Sequence, residues 1–194
     1  MLHVAPEKSA TPRRTLTELE RVVLGVVWMY EPCSAYTVRR DFLTSTSSYW
    51  SGSAGAIYPV MARLEALGLI RATELPWGRR TKKEYRVTAK GRRELESWVR
   101  PPLEPWTAAP TFDPVRTRLI FLETLDPADR TAFLDQAEQN LRDRIEESKR
   151  LRPRNQAEMR PFEYFAFVGT IFELEGRLRW LRWVRRQIAR GQGD

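Results

Sequence analysis

The feature that most limits the possible folds is the order of hydrophobic periodicities between residues 15 and 100. Apolar residues recur at helical spacing in three successive segments, two strand-like segments come next, and a fourth helical segment ends the series. Thr17 and Glu20 have the spacing of a capping box, Ser34 can cap the second helix, and Gly68 suits the end of the third. The order is that of a helix-turn-helix followed by a wing. It predicts a mainly α chain with an N-terminal winged helix-turn-helix and a two-stranded wing.

The predicted hairpin is strongly basic. It contains a strand over residues 69–75, a turn over residues 76–80 and a returning strand over residues 84–88. Between Arg71 and Arg93 there are nine Lys and Arg residues against two Glu residues, although the whole chain carries a net charge of only +8. On a surface that is merely solvated, positive and negative side chains would be mixed evenly. The cluster therefore indicates a polyanionic partner, either nucleic acid or an anionic membrane surface.

The second half of the chain is predicted to be a separate helical domain. Four prolines between residues 101 and 110 indicate a semi-rigid linker. Asp-Pro pairs at residues 113–114 and 126–127 are typical helix starts, and a last helix is predicted over about residues 161–188. The predicted organisation is a flexible tail (1–14), a winged helix-turn-helix DNA-binding domain (15–100), a Pro-rich linker (101–112) and a helical dimerisation domain (113–190).

The last helix has more apolar surface than one contact within the chain would need. A monomer would be expected to expose much of this surface, which soluble monomers rarely do. A symmetric homodimer would bury it. The predicted dimerisation residues are Phe165, Val168, Phe172, Leu178, Trp180, Leu181, Trp183, Val184 and Ile188.

Several classes of protein are made improbable by composition. No apolar run reaches the roughly 18 residues of a membrane span, and residues 1–14 lack the apolar stretch of a signal peptide. The one cysteine, Cys33, cannot form an internal disulfide, which favours a reducing cytoplasm. His3 is the only histidine. With no phosphate loop, dinucleotide fingerprint or nucleophile elbow, the chain is predicted to be no enzyme and to hold no metal or cofactor.

A set of motifs then occurs in order along residues 15–100. They are Leu16-Thr17-Glu18-Leu19-Glu20, Ala35-Tyr36, Ser53-Ala54-Gly55-Ala56-Ile57-Tyr58-Pro59, Arg63-Leu64-Glu65, Gly68-Leu69-Ile70 and Tyr85-Arg86-Val87-Thr88-Ala89-Lys90-Gly91. Together they resemble the PadR family of bacterial transcriptional regulators. The resemblance implies a cytoplasmic homodimer that binds a double-stranded DNA operator and usually represses. It also implies that a small aromatic or cationic effector releases the DNA in some members.

The candidate DNA-binding residues lie on two elements and one neighbouring helix. The third helix is the recognition helix by position, and Tyr58 lies off its apolar stripe, so it is expected to face outward. The resemblance suggests that Tyr58 contacts the DNA backbone, while packing on a neighbouring helix is the alternative. Tyr36 has the same two alternatives. The full set is Tyr36, Ser51, Ser53, Ala56, Tyr58 and Arg63, with Arg79, Arg80, Lys82 and Lys83 on the wing.

Three alternatives remain open at this point. The chain resembles a regulator, but a winged-helix adaptor that binds a protein partner or an anionic membrane surface without operator recognition is the second reading. Trp106, Phe112, Phe165, Phe172 and Trp180 either line an aromatic ligand pocket or are ordinary core and interface residues. Cys33 is either a small buried hydrophobe or a redox switch, which would need a depressed pKa.

Overall fold

The computed structural model describes residues 15–45, 50, 53–78, 80–151 and 159–191. The chain divides into two compact units, Met1–Thr107 (unit 1) and Ala108–Asp194 (unit 2). The predicted tail over residues 1–14 lies outside the described residues, and the predicted domain boundaries remain a prediction. None of the described helices has the length and apolar character to cross a membrane.

The described residues of unit 1 form four helices around one apolar cluster, apart from Trp50, whose neighbours in sequence are not described. The helices are α1 (Glu18–Tyr30), α2 (Ala35–Leu43), α3 (Ile57–Ala66) and α4 (Ala89–Val99), with short 3-10 segments at Ser53–Ala56 and Pro105–Ala108. The predicted caps are confirmed: Thr17 and Glu20 form a capping box, the Ser34 hydroxyl accepts the Thr37 N–H, and Gly68 has a φ of +69°. Val23, Val27, Val38, Phe42 and other side chains from α1, α2, α3 and the hairpin fill the core.

The hairpin consists of β1 (Ile70–Trp77) and β2 (Arg80–Val87), which pair antiparallel from one end to the other. The prediction that the turn begins at Pro76 is wrong, because Pro76 pairs with Thr81 inside the ladder. In a two-stranded sheet each strand is an edge, where a residue without an N–H is tolerated. The turn is shorter than predicted, and Gly78 has a φ of +57° that a side-chain-bearing residue rarely adopts.

In unit 2 the described ranges, 108–151 and 159–191, contain three helices, one of them short. They are α5 (Pro114–Leu119), α6 (Pro127–Leu151) and α7 (Pro161–Ile188), with a 3-10 segment at Leu122–Thr124. An apolar seam joins the two long helices. It consists of Leu134, Ala137, Leu141 and Ile145 from α6 and of Leu174, Leu178, Leu181 and Val184 from α7.

This seam corrects part of the dimerisation prediction. Leu178, Leu181 and Val184 were expected to be exposed in a monomer, but they are buried against α6 of the same chain. The reason is that one stripe of α7 meets α6, while only some of the other apolar residues of α7, such as Tyr164 and Ile171, are buried. Phe165, Phe172 and Trp183 stay exposed, and the other three, Val168, Trp180 and Ile188, are half-buried.

Two carboxylates join the helices of unit 2. Asp113 caps α5 by accepting the N–H groups of Val115 and Arg116, and it also receives two hydrogen bonds from Arg177 on α7, at 2.7 and 2.8 Å. Burial disfavours the charge on Asp113, yet these hydrogen bonds together hold the pKa of its carboxyl below the usual range. On α6, the pKa of Glu138 is also lowered, mainly by its hydrogen bond from Arg182 of α7.

Candidate nucleic-acid interface

The recognition helix α3 is held by its inner face. Ile57, Met61 and Leu64 are buried in the core of unit 1. Pro59 lies in the first turn, where a missing N–H leaves no hydrogen bond unmade, so the proline fits without breaking the helix. The 3-10 turn at Ser53–Ala56 leads directly into α3. Local sequence therefore determines where the helix begins and which face it buries.

The Thr-Ala-Lys-Gly motif holds the opposite end of α3. The Thr88 hydroxyl lies 2.8 Å from the Gly68 carbonyl oxygen and accepts the Gly91 N–H, so it also caps α4. The Lys90 ammonium donates to the Leu67 carbonyl at 2.5 Å. Gly91 is buried so close to Leu69 that an added Cβ would overlap the Leu69 carbonyl oxygen. The motif thus satisfies carbonyl groups at the end of α3 and packs α4 tightly beside them.

Arg63, a predicted DNA-binding residue, is ion-paired with the buried carboxylate of Glu20 on α1. The same carboxylate accepts the Thr17 N–H at 2.8 Å as part of the capping box. The pair therefore ties α3 to the first turn of α1. Because the Arg63 side chain is about one-third exposed, this structural contact does not prevent its outer part from meeting an anion.

The base of the wing is joined to the segment between α1 and α2. Cys33 and Tyr85 exchange backbone hydrogen bonds, at 2.7 and 3.2 Å, like a short third strand. The Glu31 carboxylate accepts the Val87 N–H at 2.7 Å and pairs with Arg92 of α4 at 3.4 Å. These bonds fix the direction in which the hairpin leaves unit 1.

Both candidate tyrosines face solvent. The side chain of Tyr36 on α2 is 61% exposed, and that of Tyr58 on α3 is 52% exposed. This exposure excludes a place in the core for Tyr36, while for Tyr58 contact with the DNA backbone and packing on a neighbouring helix both stay predictions. Ser53 and Ala56, in the turn before α3, are half-buried.

The two wing lysines have acidic neighbours. Lys82 pairs with Glu84 on its own strand at 2.8 Å, and Lys83 lies 3.7 Å from Glu65 of α3. All four side chains retain exposure, so these are weak surface pairs that a phosphate can replace. Lys83 also brings the wing into contact with the recognition helix.

Three predicted residues are not tested by the geometry. Ser51 and Arg79 lie outside the described residues, and so does the side chain of Arg80, whose backbone pairs opposite Trp77. For these residues, DNA contact stays a prediction.

Comparison with known proteins shows what the chain resembles. Residues 23–97 match the transcriptional regulator PadR-like family. The probable transcriptional regulator Rv1176c of Mycobacterium tuberculosis is 36% identical over 73 residues, which span 37% of this chain and 39% of that protein. Over these residues the chain is similar to a family of transcriptional regulators, which agrees with the prediction that it is not an enzyme.

Solved structures show the same fold. Bacillus subtilis PadR in complex with operator DNA is similar with a TM-score of 0.75 at 20% identity, covering 88% of this chain and 98% of that one. The same protein in complex with p-coumaric acid has a TM-score of 0.69 at 20% identity, with the same two coverages. The predicted fold class, a winged helix-turn-helix followed by a helical region, is confirmed.

The sequence reasoning missed one pair of cations in the wing. Arg71 of β1 and Arg86 of β2 lie directly opposite each other, and both are exposed. Like charges at opposed positions destabilise a hairpin, so their presence suggests a use for the combined charge. Both belonged to the basic cluster, but only the strand register reveals that they are neighbours.

The remaining sequence candidates have simpler explanations. Cys33 is buried, and burial together with the nearby Glu31 and Glu84 carboxylates raises the pKa of its thiol to about 11. A thiol of this kind is protonated at neutral pH, which supports the small-hydrophobe reading over a redox switch.

The aromatic pocket is not formed by the proposed side chains within unit 2. Phe112, Phe165 and Phe172 are each more than half exposed, and Trp180 is half-buried. A different cavity of about 280 Å³ is present in this unit. It is lined by Leu119, Leu122, Glu123, Arg130, Trp183, Val184, Gln187 and Ile188.

Proposed function

We propose that this chain is a homodimeric transcriptional regulator that binds a double-stranded operator and represses by occupying it. The observation that carries the proposal is the exposed surface formed by α3, α2 and the wing. The contacts that hold these elements in place are all made within unit 1. Tyr36 and Tyr58 offer hydroxyl groups to phosphates, and the basic cluster over residues 71–93 supplies the charge. The likeness to PadR solved with operator DNA supports the same role.

The wing can be tested through the salt dependence of binding. Arg79→Ala combined with Arg80→Ala is expected to weaken binding to all duplex sequences and to reduce the slope of log K against log salt by about two. The control is Arg150→Ala with Arg190→Ala, which removes the same charge from exposed positions of unit 2. An unchanged slope in the wing variant would remove the wing from the interface.

The adaptor alternative predicts a different result. An adaptor would bind vesicles of anionic phospholipid, or a protein partner, and would protect no discrete sequence in a footprint. Selection of bound fragments from genomic DNA, followed by footprinting, therefore separates the two functions. One protected sequence supports the regulator, while vesicle binding without a footprint supports the adaptor.

The homodimer is supported by the apolar face that α7 leaves uncovered. Phe162, Phe165, Phe172 and Trp183 are all more than half exposed, and Gly169 and Gly176 lie between them. A Cβ would meet open space at Gly169 and would lie at an ordinary 3.9 Å from the Arg179 guanidinium at Gly176. Large and small residues alternate along this face, which allows a second copy to interdigitate with it. We propose that the two copies meet here, with Leu178, Leu181 and Val184 stabilising each subunit from within. The half-buried Val168, Trp180 and Ile188 flank the contact.

Sedimentation of single variants tests this interface. Phe172→Ser should weaken dimerisation at least about tenfold, because a large desolvated aromatic residue is lost. Phe121→Ser is the matched control, since Phe121 is 62% exposed in unit 2 but is not on α7. Equal dimer affinity in both variants would contradict the interface.

We also propose a small aromatic or cationic effector. The cavity beside Trp183 offers an aromatic ring and aliphatic walls, with the Arg130 guanidinium to meet an aromatic carboxylate and the Glu123 carboxylate to meet a cation. The likeness to PadR solved with p-coumaric acid supports a regulatory ligand of this size. Titration with p-coumarate should quench tryptophan fluorescence and lower operator affinity in the wild type but not in Trp183→Leu. Operator release that Trp183→Leu leaves intact would put the effector elsewhere.

A further inference from the structure

The outward face of the recognition helix is almost entirely apolar. Tyr58, Pro59, Ala62 and Ala66 are exposed on α3, opposite the buried Ile57, Met61 and Leu64. Tyr58, Ala62 and Ala66 are four residues apart and so form one line along the helix. All ten residues of α3 are described, and on this face the Tyr58 hydroxyl is the only side-chain hydrogen-bonding group.

The two charged residues of α3 lie at the sides of this face and have other partners. Arg63 is ion-paired with the buried Glu20 carboxylate. Glu65 lies 3.7 Å from the ammonium group of Lys83 on the wing. Both charged groups therefore lie beside the outward face, Arg63 towards α1 and Glu65 towards the wing, and not at its centre.

This composition restricts how α3 can read a base pair. Guanine is normally read by Arg or Lys, adenine by Asn or Gln, and cytosine by Asp or Glu, each through hydrogen bonds in the major groove. The outward face of α3 has none of these residues. Apolar contact with the C5-methyl group of thymine is the direct contact that small apolar side chains can make.

We infer that α3 selects its operator through thymine methyl groups, which Pro59 and Ala62 contact in the major groove. This inference rests on the proposed function. Pro59 and Ala62 are the relevant pair because the N-terminal part of a recognition helix approaches the bases most closely. Each operator half-site therefore contains thymine opposite these residues. Tyr58 orients α3 by contacting the DNA backbone.

The test replaces thymine by uracil, which removes only the methyl group. In a duplex chosen by genomic selection, each thymine of the half-sites is replaced in turn. Substitution at a contacted position should lower affinity about fourfold, as expected for one buried methyl group, and about sixteenfold when both half-sites are changed. The salt slope should stay constant, because no phosphate contact is altered.

Variants of α3 locate the contact. Ala62→Gly should bring the thymine-to-uracil affinity ratio at its position towards one. Ala66→Gly is the matched control, since it makes the same change on the same face one turn further from the N-terminus, and it should keep the ratio.

The possible outcomes distinguish a failure of this inference from a failure of the proposed function. A selected operator that is insensitive to uracil at every half-site thymine, or that has no thymine in its half-sites, overturns the methyl readout and leaves the regulator intact. A chain that selects no sequence at all overturns both.

Discussion

Unit 1 buries its apolar side chains in one cluster shared by three helices and the hairpin, whereas unit 2 buries a single seam between α6 and α7. Among the described residues of unit 1 the large exposed aromatic residues are three tyrosines, Tyr30, Tyr36 and Tyr58, which carry hydroxyl groups, and Trp106. In unit 2 they are mainly phenylalanine and tryptophan, with no hydroxyl group to offer. The comparison indicates that unit 1 folds around its own core and exposes aromatic side chains that mostly end in a polar hydroxyl group. Unit 2, by contrast, retains apolar surface that a partner can bury.

The ion pairs differ in the same way. Besides the local pairs of Glu18 with Arg21 and of Lys82 with Glu84, unit 1 has pairs such as Glu20 with Arg63 and Glu65 with Lys83, which connect α3 to α1 and to the wing. Those of unit 2 are concentrated along α6 and α7, where Glu138 meets Arg142, Arg182 and Arg185. Unit 1 uses charge to position a surface, and unit 2 uses it to reinforce a helix pair.

The largest effect is expected from Gly91→Ala in unit 1. The added Cβ would overlap the backbone carbonyl of Leu69, which cannot move without shifting the end of α3. We expect a loss of at least about 3 kcal/mol in the free energy of unfolding, measured by urea denaturation. Gly25→Ala is the control, because its Cβ would meet the Leu95 side chain at an ordinary 3.7 Å. Equal stability of both variants would show that unit 1 is not tightly packed at this point.

Leu181→Ala should be the most damaging of the simple truncations in unit 2. Leu181 is fully buried in the seam, so the change leaves a cavity and should cost about 3 kcal/mol. Hydrogen exchange should show that amides of α6 and α7 lose protection while those of unit 1 keep it. Phe172→Ala, on the exposed side of α7, should leave the stability of a subunit nearly unchanged. Parallel losses in both units would mean that the two are not independent.

Acid should affect unit 2 through Asp113. The pKa of Asp113 is lower in the folded chain, so its contribution to stability is complete above the unfolded-state value of about 4 and is lost as the pH falls through the folded-state pKa. Asp113→Asn should cost about 2 kcal/mol at neutral pH, since hydrogen bonds from a charged Arg177 are weakened. Below pH 4 the difference from wild type should shrink. A difference that stays constant down to pH 2 would contradict the role of the ionised carboxylate.

The smallest effect on stability is expected from Lys83→Ala. Its pair with Glu65 is exposed and should contribute no more than about 0.5 kcal/mol. The same change should reduce the salt slope of DNA binding by about one. Thermal unfolding and a salt titration of one variant therefore separate the folding role of a wing cation from its binding role. A large loss of stability with an unchanged slope would reverse this assignment.

Sequence reasoning was most successful where the evidence is local. Capping residues such as Thr17 and Ser34, and the C-terminal Gly68, are determined by hydrogen bonds within one turn, so their positions can be predicted from a few letters. The order of helices and hairpin in unit 1 follows from the same local patterns. The outward direction of Tyr58 was also predictable, because it lies off the apolar stripe of α3.

The sequence did not predict those features of the structure that local sequence patterns do not determine. Pro76 was read as a turn residue because proline is common there, but the strand register keeps it in the ladder. The apolar residues of α7 could not be divided between an internal and an external partner. Helical periodicity shows which residues share a face of the helix, but it does not show which element packs against that face. The ion pair of Arg63 with Glu20 was missed, because Glu20 is 43 positions away in the sequence and meets Arg63 only in the folded unit; a DNA contact of Arg63 stays a prediction.

The separation of the two faces of α3 has a consequence for how such a protein can change over evolutionary time. Ile57, Met61 and Leu64 stabilise the fold, while Pro59, Ala62 and Ala66 project away from the core. Substitutions at the outward positions therefore leave the core contacts intact, apart from ordinary helix propensity. After gene duplication, one copy can acquire a new target sequence in a few steps, and each intermediate remains a folded protein.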